Sequence, residues 1–509
     1  MTHRLLAFCL VLTLCFGTAA AQDARSVLQA AADAMGASDL RSIRYSGTGW
    51  RGAVGQSFRP DQDWPRFDLR HYTRTIDFEA RSSKEEMVLV QGDNSPRGGG
   101  GTPIEGERKQ TFLVSGDYAW NLEGNAVVPA PAAAELRQLE IWLTPHGFLK
   151  AALAGNPTAI TRNEYGERVT VVSFTALGKY QVNGTITSDN LVARVQTWIP
   201  NPVVGDMYYE NVYGNYRDFG GVKVPGVHQH QDVDDNERLP NVSGGDHSFG
   251  LNVTDVEVNV AGAALKVPAA VQDATVSPVH VESRELADGV WYLGGSSHNS
   301  MAVAFRDFAV VVEAPLNEER SLAVIDEVAR LMPGKPIRFL VTTHHHWDHI
   351  GGMRAYVHEG ATVITHDGNR PYYEELVIAR RWIQKPDRLS LYPPEETAEG
   401  YTFETFRQKY VISDGSRNLD LHHVQGLSHS AGMVIAYLPE EKIVVEADLY
   451  SPSRDRPPAT PNRSSRTFYD NIERLQLDIE TIVPVHGPPV PMSDFMRFMG
   501  ENRESSGAR

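Results

Sequence analysis

The stretch Thr343-His344-His345-His346-Trp347-Asp348-His349-Ile350-Gly351-Gly352 sets four histidines and one aspartate within six positions. It follows directly on Ile337-Arg338-Phe339-Leu340-Val341, an apolar run that reads as a buried strand, and strand ends are where α/β folds place their chemistry. In extended backbone alternate side chains point the same way, so His344 and His346 are expected on one side while His345 and Trp347 turn away. A helix starting near Asp348 then carries Asp348 and His349 to a neighbouring position. Gly351-Gly352 lets the backbone pack closely behind them.

Working outward, Glu318 to Met332 has helical spacing. Leu322, Ile325, Val328, Ala329 and Met332 are expected to face a core, and Pro333-Gly334 stops the helix. Downstream, three residues sit in turns or at the ends of strand-like runs. His429 lies in Gly426-Leu427-Ser428-His429-Ser430-Ala431-Gly432, ahead of a hairpin of Met433 to Leu438 and Ile443 to Glu446. Asp448 ends that hairpin, and His486 ends the run Thr481-Ile482-Val483-Pro484-Val485. Their shared placement carries more weight than any one of them.

This motif series, over roughly Val281 to Val490, resembles the metallo-β-lactamase superfamily. The resemblance implies a four-layer αβ/βα sandwich with the site on one edge between two sheets. It also implies a ligand set: His344, His346 and His429 for a first metal, Asp348, His349 and His486 for a second, and Asp448 bridging both. Five imidazoles and two carboxylates without a thiol suit two zinc ions, with iron or manganese as alternatives. The expected chemistry is attack by a hydroxide shared between the metals, with Asp348 as the catalytic residue that orients it or passes its proton to the leaving group. Asp448 stands where one group of zinc β-lactamases carries cysteine, which turns the expectation toward an ester, lactone, thioester or amide hydrolase. An iron-dependent oxygenase on the same scaffold and a non-catalytic periplasmic binding protein are the alternatives.

Substrate contacts are expected from Arg454 and Arg456 in the basic loop Ser451 to Arg466, and from His298 in Ser296-Ser297-His298-Asn299. Tyr372, Tyr373, Arg380, Arg381, Trp382 and Tyr392 either wall the cleft or pack on the core. The partner is a small molecule, and oligomeric state is not legible.

Composition frames this reading. The 509 residues carry Lys+Arg 48 against Asp+Glu 64, a formal charge of -16 that argues against nucleic acid or an anionic membrane as partner. Both cysteines, Cys9 and Cys15, lie in the first stretch, where His3-Arg4, an apolar run from Leu5 to Phe16 and Ala19-Ala20-Ala21 form a signal peptide pattern. Cleavage before Gln22 gives a periplasmic or secreted chain, and no later segment is apolar enough to span a bilayer.

The expected fold class is α+β, with a mainly antiparallel β domain over 22–280 ahead of the metallohydrolase domain over 281–509. Thr111 to Val114, Arg168 to Phe174, Val192 to Ile199 and Gly250 to Val260 read as strands of the first domain. One helix opened by Pro131 and ended by Pro145 interrupts them, with Leu136, Leu139, Ile141 and Leu143 on one side. Gly98 to Gly101 reads as a flexible turn rather than a phosphate loop. Tyr216 to Pro225 resembles a hairpin of lipoprotein-carrier-like half-barrels. His228, His230, Asp232, Asp234 and His247 read as a solvated sheet face in preference to a second metal site.

Overall fold

The computed structural model describes residues 23–232, 247–378, 382–393, 401–452 and 460–500. The signal peptide pattern lies outside these residues, as do Asp234, Arg380, Arg381, Arg454 and Arg456.

Between residues 42 and 258 the chain builds one thirteen-stranded sheet in which every pairing is antiparallel. Two meanders compose it, with edge strands Ala126–Pro129 and Thr158–Glu164, and they join where Ser42–Gly52 pairs with His247–Val258. The strands expected from alternation fall within Arg108–Ser115, Glu167–Ala176 and Val192–Asn201, while the fourth is His247–Val258. Gly220 and Gly221, both at positive φ, turn Gly205–Phe219 into Val222–Asp232 as the hairpin reading required.

Helix content exceeds the sequence expectation. A helix over 23–34 was not anticipated, and its Leu28, Ala31 and Ala32 share a core with Leu139, Phe148 and Val182. Pro131 opens a 3-10 turn that leads into Ala134–Trp142, where Leu136 is 39% exposed rather than core-facing. Pro145 does not end the helical region. Thr144 caps a second helix, Pro145–Ala154, by accepting from the Gly147 N–H, and proline in the first turn forfeits only a donor that has no partner there.

The C-terminal part has two further sheets. One runs through Glu282–Ala287, Val290–Gly294, Ser300–Ala304, Ala309–Val312, Ile337–Val341, Thr362–His366 and Phe403–Phe406. The other runs from Lys409–Ser413 through Val434–Leu438, Ile443–Glu446 and Thr481–Pro484 to Val490–Pro491. Period-two alternation assigns the layers. Val310 and Val312 join Val434, Ile443 and Val445 in the core between the sheets, whereas Ala309 and Val311 face Val324, Val328 and Tyr356 on the outer helices. On the far side Ile435, Val444 and Ile482 pack against Phe468, Ile472 and Phe495. The order is therefore helix, sheet, sheet, helix.

The helix Glu318–Leu331 is capped by Asn317, which accepts from the Arg320 N–H. Its buried face is centred on Arg320, Ser321, Val324 and Val328, one step round from the expected stripe, and Ala329 is exposed. Among the described residues no helix is long and apolar enough to cross a membrane.

Candidate metal centre

Three strand ends and two loops converge on one edge of the sandwich. The strand Ile337–Val341 delivers Thr343 to His346, with His346 itself extended, and a short helix, Trp347–Ile350, begins directly afterwards. Gly351 and Gly352 are required behind it. A Cβ on Gly351 would stand 2.0 Å from the Leu316 carbonyl oxygen, and one on Gly352 1.9 Å from Ser321 Oγ. Asp448 follows the strand Ile443–Glu446 at a φ of 58°, which re-aims its carboxylate, and His486 follows Thr481–Pro484.

Potential ligand atoms form three overlapping groups, each within 4.8 Å: His344, His346 and His429; His344, His349 and Asp448; His298, Asp348, His349 and His486. The structure thus brings together all seven residues singled out by the motif series, and it adds His298. Asp448 Oδ2 lies 2.9 Å from His349 Nε2 and 3.3 Å from both His344 Nε2 and His429 Nε2, and Asp448 Oδ1 is 3.2 Å from His486 Nε2.

The donor atoms crowd around one space, where His349 Nε2 also stands 3.3 Å from His486 Nε2. His344 Nε2, His346 Nδ1, His429 Nε2 and Asp448 Oδ2 are buried without a hydrogen-bond partner. Four such orphans in one spot would be costly in a site meant to stay empty, and they are the atoms a divalent cation would satisfy. The residues present fit such a group.

Surrounding groups fix which ring nitrogen faces inward. His346 Nε2–H donates to the Ser57 carbonyl at 2.9 Å, which leaves Nδ1 as the free lone pair. His349 Nδ1–H donates to Glu313 Oε2 at 2.7 Å, and Glu313 Oε1 accepts from the Thr343 N–H at 2.7 Å. Glu313 is fully buried and, like Asp448, holds a left-handed backbone with φ 77°. Burial, with neighbouring imidazoles adding to it, holds His344 and His346 well below the usual histidine range, so both are neutral at pH 7. Burial also opposes charge on His349, but Asp448 and Glu313 outweigh it and raise that imidazole. Asp348 is depressed despite burial, chiefly through its polar contact with His298.

Sequence reasoning missed a contribution from the N-terminal sheet. Gln56 Nε2 donates to Asp348 Oδ1 at 2.8 Å, and Gln56 Oε1 accepts from the Gly100 N–H at 3.1 Å. Ser57 holds His346 through its carbonyl and His345 through Oγ, at 3.1 Å from Nε2. His345 and Trp347 do turn away from the ligand groups, Trp347 into an edge contact with Trp64. The Gly98 to Gly101 turn also lies against the candidate ligands. A Cβ on Gly99 would stand 2.8 Å from His346 Cε1, and the Gly98 N–H donates to the Ser428 carbonyl next to His429. Inside the N-terminal sheet lies a cavity of about 340 Å³ bordered by Tyr45, Arg74, Glu140 and His146, whose wall at Ala53 and Gly100 continues into Gln56 and Gly99.

Other expectations fare differently. Tyr372 and Tyr373 are core residues, because their rings fill the space outside the first C-terminal sheet, and Tyr372 bonds the Trp347 indole. Tyr392 is exposed. Arg463 and Arg466 lie in the first turns of a helix, Arg463–Leu475, because Asn462 caps it, so they are not part of a loop. His228 is exposed on its strand, and among the described residues no group of potential metal ligands forms near it.

The family model described as Metallo-beta-lactamase superfamily matches residues 293–486. No curated protein matches the sequence. Among solved structures, a metallo-beta-lactamase from Pontibacter korlensis is similar at 18% identity over 44% of this chain and 100% of its own, with a TM-score of 0.33. One from Hirschia baltica is similar at 19% identity over 43% of this chain and 96% of its own, with a TM-score of 0.31. The flavodiiron protein from Giardia intestinalis is similar at 16% identity over 44% of this chain and 60% of its own, with a TM-score of 0.32.

Proposed function

We propose, from the premise that residues 293–486 form a metallo-β-lactamase superfamily domain and so the metal-dependent hydrolase part of this chain, that the protein is an exported dinuclear zinc hydrolase of an ester, lactone, thioester or amide. The observation that carries this reading is the convergence of four partnerless buried donor atoms on one space, with three further donors adjoining it.

In this reading His344, His346 and His429 hold one cation, Asp348, His349 and His486 hold the other, and Asp448 serves both. Two bound divalent cations would supply Lewis acidity and a water that ionises near neutral pH. The chain's residues do the rest. Neutral His344 and His346 present lone pairs without a proton to displace at pH 7. Asp348 has Oδ1 engaged by the Gln56 amide and Oδ2 3.2 Å from His298 Nε2, so a proton on its way to the leaving group would sit at Oδ2, within reach of that imidazole. The substrate in this reading is a small molecule, and the leader pattern at residues 1–21 supports export.

The test is metal analysis of the purified full chain together with hydrolysis of a panel of chromogenic esters, lactones, thioesters and lactams. About two zinc per chain, with hydrolysis lost in His429→Ala, supports the reading. One iron per chain would point to oxygenase chemistry, and a metal-free protein inert to the whole panel would leave only binding.

A further inference from the structure

We infer that His298 is an additional ligand of the second cation, so that this position takes a divalent metal through His298, Asp348, His349 and His486 beside the shared Asp448. The inference rests on the metal reading proposed above and goes beyond its seven ligands.

His298 lies on the connection between Val290–Gly294 and Ser300–Ala304, two antiparallel strands whose loop would ordinarily be free to face solvent. Here the loop is fastened. The buried Asn299 donates its backbone N–H to the Val485 carbonyl at 2.9 Å, and its amide Nδ2 to Val485 O at 2.9 Å and Gly487 O at 3.0 Å. Those two carbonyls flank His486. On the next residue, Ser300 Oγ donates to the backbone carbonyl of Glu313, the residue that holds His349. The residues following His298 are therefore tied to the segment that carries His486 and to the residue that holds His349.

The side chain follows from this anchoring. Its ring packs edge-on against His486 at 4.2 Å between centroids and against His349 at 5.3 Å. Only 11% of the side chain is exposed. Nε2 stands 3.2 Å from Asp348 Oδ2, while Nδ1 is 3.0 Å from Ser297 Oγ, a hydroxyl able to accept Nδ1–H and leave Nε2 as the lone pair. The donor atoms of all four residues lie within 4.8 Å of one another, and nitrogen and oxygen ligands at about 2.0–2.2 Å from zinc stand about 3–4 Å apart, so the four atoms share one ion after converging by up to about 1 Å. The competing arrangement has the ring turned to the opposite tautomer, with Nε2–H donating to Asp348 and no bond to metal. Ligation would leave the second cation fewer open positions than the first, and substrate oxygen would then bind mainly on the side of His344, His346 and His429.

Proton NMR of the cobalt-substituted full chain decides between the two. Each imidazole bound to cobalt gives a strongly shifted, solvent-exchangeable N–H signal. Wild type is expected to show one signal beyond those of His344, His346, His349, His429 and His486, and H298N is expected to lose that signal alone. A wild-type spectrum without the extra signal, or an H298N spectrum unchanged from wild type, would overturn the ligand assignment and leave the seven-ligand reading intact. Absence of any shifted imidazole signal in wild type would sink both. Counting in wild type keeps the test valid even if the variant folds poorly.

Discussion

Gln56 and Asp348, 292 positions apart in sequence, are joined by a 2.8 Å hydrogen bond from the Gln56 amide to Oδ1 of the carboxylate. The amide is itself held by the Gly100 N–H, so a turn of the N-terminal sheet sets the orientation of a carboxylate in the C-terminal part. Groups that orient metal ligands in this way are worth about 10–100-fold in metal affinity or activity. Gln56→Leu is expected to weaken the second metal position by that order, read by chelator competition, while the first position is retained.

Asp348→Asn keeps the shape of the side chain and removes its charge and its capacity to take a proton. A group moving a proton at the leaving atom contributes about 10²–10⁴-fold. Turnover of whichever ester or lactam the panel identifies should fall by that order in samples whose first metal position remains filled by elemental analysis. Unchanged turnover would remove Asp348 from the chemistry.

Gly99→Ala tests the close approach from the other side. The added methyl meets Gln56 Oε1 at 2.0 Å and His346 Cε1 at 2.8 Å, so either the turn or the imidazole must shift. The expected outcome is a folded protein with both metal positions weakened, measured as zinc content after dialysis. Retention of full zinc would show that the turn yields without disturbing His346.

Glu313→Gln leaves one acceptor oxygen to serve two donors, Thr343 N–H and His349 Nδ1–H, and sets an amide N–H against the other. A buried donor left without an acceptor costs about 1–3 kcal/mol. Both a lower unfolding midpoint in denaturant and a weaker second metal position are expected, and an unaltered midpoint with unaltered zinc binding would contradict the orienting role.

His146, in the wall of the N-terminal cavity, gives a pH prediction away from the metal centre. Burial pushes its imidazole from 6.5 down to about 4, so the unfolded chain takes up the proton more readily than the folded one. Its contribution to stability is complete above about 6.5 and is lost as pH falls toward 4, a change of roughly 3 kcal/mol. Thermal melting followed from pH 7 to pH 4 should fall less steeply in His146→Gln than in wild type. Parallel slopes would contradict the assignment.

The seven clustered donors were legible because their residue types are rare in such density and because His344, Asp448 and His486 each follow closely on the end of a strand. The same argument could have reached Glu313, which directly follows the strand Ala309–Val312, but a single carboxylate after an apolar run has no distinguishing partner in sequence. Gln56, Ser57 and Gly99 were not legible. Glutamine and glycine announce no chemistry, and one decisive contact is made by a backbone carbonyl, which every residue possesses. The second N-terminal helix was missed because proline reads equally well as a stop or as a first-turn residue, and only Thr144 as a cap distinguishes the two.

The Ser57 carbonyl has one more consequence. An acceptor that belongs to the main chain cannot be deleted by substituting its own side chain, so only moving or removing the segment that bears it frees His346. A graft of residues 282–500 onto a foreign carrier, or a truncation ahead of them, would leave that ring able to protonate either nitrogen. Any transplant that keeps the wiring intact has to bring residues 53–58 and 98–100 along.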